Sequence, residues 1–109
     1  YWLPGDYASG AVYDVTNEAA CRAVAVYYYG QNTPEMCAVK SLAPNSLGLY
    51  DMCGNTYEIT SDNYSSGWKY MLGSNNCNSA ASLMVGSYYM NTPDYANQDY
   101  GFRICRTAD

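Results

Sequence analysis

At 109 residues the chain has room for one domain that buries about two-thirds of its unfolded surface. Ten acids and five bases give a net charge of −5 without any basic run, which excludes non-specific nucleic-acid binding, because that needs clustered Lys and Arg. The longest apolar stretch, AVAVYYY at 23–29, falls far short of the roughly 18 residues of a membrane span.

In chain order, YWLPGDYASGAVYDV (1–15) reads as irregular entry structure with one short strand. TNEAACRAVAVYYYG (16–30) predicts a helix to about residue 26: Thr16 or Asn17 caps it, Glu18 suits its positive end and Gly30 stops it. Residues 31–48 form a loop-rich crossing with Pro34 and Pro44. TYEIT (56–60) alternates, with Tyr57 and Ile59 on one face and Thr56, Glu58 and Thr60 on the other, the pattern of a half-buried strand. Beyond it, only YML (70–72) and SLMVG (82–86) are apolar enough for strands before GFRIC (101–105) closes the chain, with Phe102 expected in the core. Short strands, one or two helices and long polar loops describe a single α+β domain over 1–109. Because the chain opens on Tyr1 rather than Met, it is expected to be a mature product or the C-terminal part of a longer protein.

Five cysteines, at 21, 37, 53, 77 and 105, contain no CxxC. That spacing argues against zinc and for one or two disulfides in an exported protein, with the pairing left open and at least one thiol unpaired within the chain. Residues 57–100 hold seven tyrosines, Trp68 and six asparagines, with Ser and Gly filling much of the rest. Tyr and Trp offer rigid contact area, while Asn, Ser and Gly adapt their hydrogen bonds, so this palette suits a recognition surface. A polar loop region in which Tyr merely shields the core is the plainer reading of the same composition.

PNSLGLYDMCGNTYEITSD (44–62), followed by NTPDYANQDYGFRICR (91–106), resembles the formylglycine-generating, or sulfatase-modifying, family. WLP at 2–4 echoes that family's RLP. The resemblance implies a C-type-lectin-like fold of short twisted antiparallel strands, one or two helices and long loops. Its catalytic members bind copper through two cysteines shortly before the NTPD-like stretch, where ASLMVGSYYMNTPD has none, and the RGGSW stretch is reduced to LGSNN at 72–76. A related iron-dependent branch uses histidines, and this chain has none. No copper and no catalysis are therefore expected. The resemblance also implies a structural calcium held by the Asp51 and Glu58 side chains and the Gly54 and Thr56 carbonyls, oxygen donors that suit a hard cation. Without the ion, Asp51 would cap the turn and Glu58 would face solvent. Arg103 is expected to pair with an acid, for which Asp62 is a candidate.

The same scaffold is used by the variable proteins of diversity-generating retroelements, whose adenine mutagenesis turns asparagine codons into Tyr, Ser, Asp, Gly or Cys. The patchwork of 61–100 is similar. The expected role is a non-catalytic, surface-displayed or extracellular domain that binds a protein or glycan target. Tyr64, Trp68, Tyr70, Asn75, Asn76, Asn78, Tyr88, Tyr89, Asn91, Tyr95, Asn97 and Tyr100 are the expected contact residues. The alternatives are an oxidase of the formylglycine-generating type and a self-associating fibre or pilus subunit.

Overall fold

The computed structural model describes residues 5–108. The echo at 2–4 lies outside them. The helix is shorter than expected: α1 spans Glu18–Arg22, with the Asn17 side chain accepting from Ala20 N at 2.9 Å. It ends at Ala23 because Val24, Ala25, Val26 and Tyr27 are all buried in succession, which no helix packed on one face allows.

Among the described residues four strands follow: β1 Tyr57–Ser65, β2 Trp68–Leu72, β3 Tyr88–Asn91 and β4 Tyr100–Gly101, in the sheet order β3-β2-β1-β4. β1 pairs antiparallel with β2, and β2 with β3, whereas β4 runs parallel to β1, so the sheet is not wholly antiparallel. The strand expected at 82–86 is instead a 3-10 turn over Ala80–Leu83, followed by a bridge from Val85 to Gly5. A short apolar run cannot by its pattern distinguish a buried turn from a strand, and Leu83 is fully buried as the turn's anchor. GFRIC contributes only Gly101 to the sheet, and Phe102 is 73% exposed rather than core.

The core is small and lies beside the sheet. Ala8, Cys21, Val24, Ala25, Tyr27, Cys53 and Leu83 form it, drawn from the entry segment, α1, the buried run after it and the 3-10 turn. Of the strand residues only Met71 is fully buried. Both faces of the sheet therefore keep partly exposed aromatic side chains. All five cysteines are free thiols, so the expected disulfides are not formed in this structure.

Candidate functional site

Successive strand residues point to opposite faces, so the pairing register sorts the tyrosines. Tyr70 pairs with Met90, and Leu72 with Tyr88, which puts these four on one face; Met71 opposite Tyr89 belongs to the other. Glu58 opposes Leu72, so alternation along β1 puts Tyr64 on this first face as well. There Tyr64, Tyr70 and Tyr88 form a closed triad, with ring centroids 5.5 Å (Tyr64–Tyr70), 5.2 Å (Tyr70–Tyr88) and 6.3 Å (Tyr64–Tyr88) apart. Tyr64 and Tyr88 are 44% and 55% exposed, and Trp68, two residues before Tyr70 on β2, is 42% exposed. The opposite face carries a chain of rings: Tyr89 stacks on Tyr57 at 5.7 Å, Tyr57 meets Tyr100 at 6.0 Å, and Tyr100 meets Tyr95 at 5.6 Å. Asn91 donates to the Tyr100 hydroxyl at 3.2 Å, and Asn97, exposed, accepts from Tyr100 N at 3.2 Å.

Asn75 and Asn76 do not join either aromatic group, whereas the Asn78 side chain hydrogen-bonds Tyr57 of the second one. Asn75 is 6% exposed, donates to the Asp99 carboxylate and accepts from Cys77 N at 3.0 Å. Asn76 donates from its side chain to the Pro34 carbonyl at 2.8 Å. The Asn78 side chain accepts from Asn75 N at 3.0 Å, and its carbonyl from Tyr28 N at 2.8 Å. These amides are spent on internal loop closure, and Asn75 is withdrawn from the surface. Asp99, which holds Asn75 and accepts Tyr57 N at 2.8 Å, had no signal in sequence. Nor did a mainly apolar cavity of about 360 Å³ whose lining includes Ser9, Leu47, Leu49, Met52, Leu72 and Met84, because its walls come from four separate stretches.

The Asp51–Glu58 turn is organised by Arg103. Its Nε donates to Glu58 Oε2 at 2.6 Å and its Nη2 to the Asp51 carbonyl at 2.6 Å. Glu58, not Asp62, is thus its acid, in a half-buried pair with side-chain exposures of 37% for Arg103 and 19% for Glu58. Burial pushes the Glu58 carboxyl above its ordinary range, the Arg103 bond and charge pull it back, and Asp51 adds to the rise. Asp51 Oδ2 accepts from Lys40 N at 2.8 Å, the capping role open to it without an ion. These bonds leave Asp51 Oδ1 and Glu58 Oε1, and with the Gly54 and Thr56 carbonyls the donor set consists wholly of oxygen, the chemistry a hard cation takes. Among the described residues, no three His, Cys, Asp or Glu gather into a metal cluster, so an ion here would depend on main-chain donors.

The sulfatase-modifying factor enzyme 1-like domain family matches residues 4–108. Among curated proteins none matches the chain. Solved structures similar to the chain include the following three. "Crystal Structure of CarF" is 34% identical at a TM-score of 0.72, over 80% of this chain and 34% of that one. "Treponema denticola variable protein 1" is 28% identical at 0.65, over 79% and 37%. "Structure of PvdO from Pseudomonas aeruginosa", 19% identical at 0.68 over 93% and 43%, shares the fold alone. The chain thus spans well under half of each of these structures. A family match over nearly its whole length, on an α+β C-type-lectin-like architecture, places the chain in the sulfatase-modifying factor enzyme 1-like domain family.

Proposed function

We propose that this domain is a non-catalytic recognition module whose contact surface is the β1–β2–β3 face bearing Tyr64, Trp68, Tyr70 and Tyr88. The observation that carries the reading is the exposed tyrosine triad: three rings lock one another in place, so little rotamer entropy remains to be lost when a target is engaged. Similarity to a variable protein supports a scaffold that holds changing side chains. The Tyr/Asn/Ser patchwork over 61–100 supports retroelement diversification, which copies of the coding segment differing only at adenines, beside a reverse transcriptase, would establish. Catalysis of the family's kind is not supported by the residues: there is no cysteine between Cys77 and Cys105, and no histidine anywhere. The target is a protein or glycan, and the module belongs on a cell or particle surface. A calcium ion held by Asp51, Glu58 and the Gly54 and Thr56 carbonyls would brace the turn beneath the sheet and take no part in chemistry.

The test is to probe glycan and protein arrays with the purified domain, then repeat the strongest binding with Tyr64, Tyr70 and Tyr88 changed together to Ala. A loss of at least about thirtyfold in affinity, with a retained cooperative melt, is the expected result. Affinity kept within about twofold would move the surface elsewhere. Aldehyde formed from a cysteine-containing sulfatase peptide with copper and oxygen would replace recognition by oxidation, and concentration-dependent filaments in light scattering would replace it by assembly.

A further inference from the structure

Two of the five thiols, Cys21 and Cys53, are buried in the core, and burial pushes both above the ordinary thiol range, which makes them poor nucleophiles. The exposed thiols are Cys37, Cys77 and Cys105. Cys37 and Cys77 lie on loops forty positions apart in sequence, yet both loops are held by one buried residue. The Asn55 side chain, on a residue 6% exposed, accepts from Cys37 N at 2.9 Å and donates to Cys37 O at 3.0 Å. The main-chain carbonyl of Asn55 accepts from Asn76 N at 3.1 Å, and the Asn76 side chain closes the circuit on Pro34 O at 2.8 Å. Residues 34–37 and 76–77 are therefore two sides of one hydrogen-bonded ring. Each cysteine points its sulfur back into its own loop, Cys37 towards Glu35 O at 3.6 Å and Cys77 towards Asn76 Oδ1 at 3.6 Å. Both are weak bonds that a side-chain rotation releases. Cys105 lies beyond β4 and contributes no bond to this ring.

We propose that Cys37 and Cys77 are a disulfide pair that closes when the domain meets an oxidising thiol–disulfide pool. This inference does not depend on the recognition reading. One thiolate attacks glutathione disulfide, forming a mixed disulfide and releasing one glutathione. The second, after losing its proton, attacks the protein sulfur of that mixed disulfide and releases the other. Two protons and two electrons thus pass from the protein thiols to the oxidant, which leaves as two thiols. The new bond cross-links the loop of residues 31–46 to the Asn75–Asn78 turn, through which Asp99 and Tyr28 are attached, and so stiffens the support of the sheet.

The sequence makes the test clean. Cleavage after Arg22, Lys40, Lys69, Arg103 and Arg106 puts each cysteine in a different peptide. The folded protein is incubated with glutathione disulfide near pH 8, quenched with acid, alkylated and digested without reductant. Peptides 23–40 and 70–103 should then appear joined, two hydrogens lighter than their sum, and Tm should rise by roughly 5–15 °C over the reduced protein. Cys37→Ser should cancel that rise and leave Cys77 as a glutathione adduct, whereas Cys105→Ser should leave the link intact. Separate glutathione adducts on Cys37 and Cys77 of the unaltered chain, or either residue joined to Cys105, would overturn the pairing.

Discussion

Asn55 and Gly54 show how much the turn at 53–56 depends on single residues. Gly54 has φ 77, and a methyl group there would overlap the Val26 carbonyl oxygen, which is main chain and cannot step aside. Gly54→Ala should therefore cost more than about 3 kcal/mol, seen as loss of the cooperative melt at 37 °C. Asn55, at φ 65, combines a left-handed backbone with a side-chain amide that pairs with both main-chain groups of Cys37, and no other residue type offers both at that length. Arg103 already supplies a positive charge between Glu58 and the Asp51 carbonyl, so calcium would strengthen the turn without being required to form it. Saturating calcium should raise Tm by a few degrees and EDTA should reverse it. Asp51→Asn, which keeps the acceptor for Lys40 N, should abolish that response; a calcium-induced rise that survives this change would place the ion elsewhere.

Between elements, burial decides how much a side chain contributes. Leu83, fully buried in the 3-10 turn, should cost about 2–5 kcal/mol on truncation to Ala, whereas Tyr88, 55% exposed on β3, should cost under about 1.5 kcal/mol in urea melts. Tyr88 and Tyr89 are neighbours in sequence and opposites in space. Substituting them together would mix two surfaces, and the triad and the Tyr89–Tyr57–Tyr100–Tyr95 chain have to be altered separately. If the triad face binds the target, Tyr89→Ala and Tyr95→Ala should leave affinity within about threefold, because side chains outside the central contact contribute little. The alternation of TYEIT made β1 legible, while the tight register of β2 against β3 depended on a partner that no local pattern specifies.

For the molecule as a whole, a core this small makes individual buried groups count. Tyr27, 2% exposed and in contact with Tyr29 at 5.5 Å, has its phenol pushed up to about 12, mainly by burial. A raised value means that the folded state holds the proton more tightly than the unfolded one. The stability linked to that proton is full below about pH 10 and is lost as pH climbs through about 12. Urea melts between pH 9 and 12 should show that decline, and Tyr27→Phe should make it shallower. An unchanged slope in the variant would assign the alkaline loss to other tyrosines.

Family, fold class and the identity of the Asp51–Glu58 turn were legible in the sequence, because LGLYDM, GN and GFR are local strings whose spacing survives translation into any conformation. The two-residue alternation also foretold which face Tyr57 would share with Ile59. Which tyrosines stand together, which asparagines are spent inside the fold and which acid receives Arg103 were decided only in three dimensions. Each depends on residues brought side by side from distant stretches. Pairing register and loop closure are set by the summed packing of the chain, not by the character of any short segment.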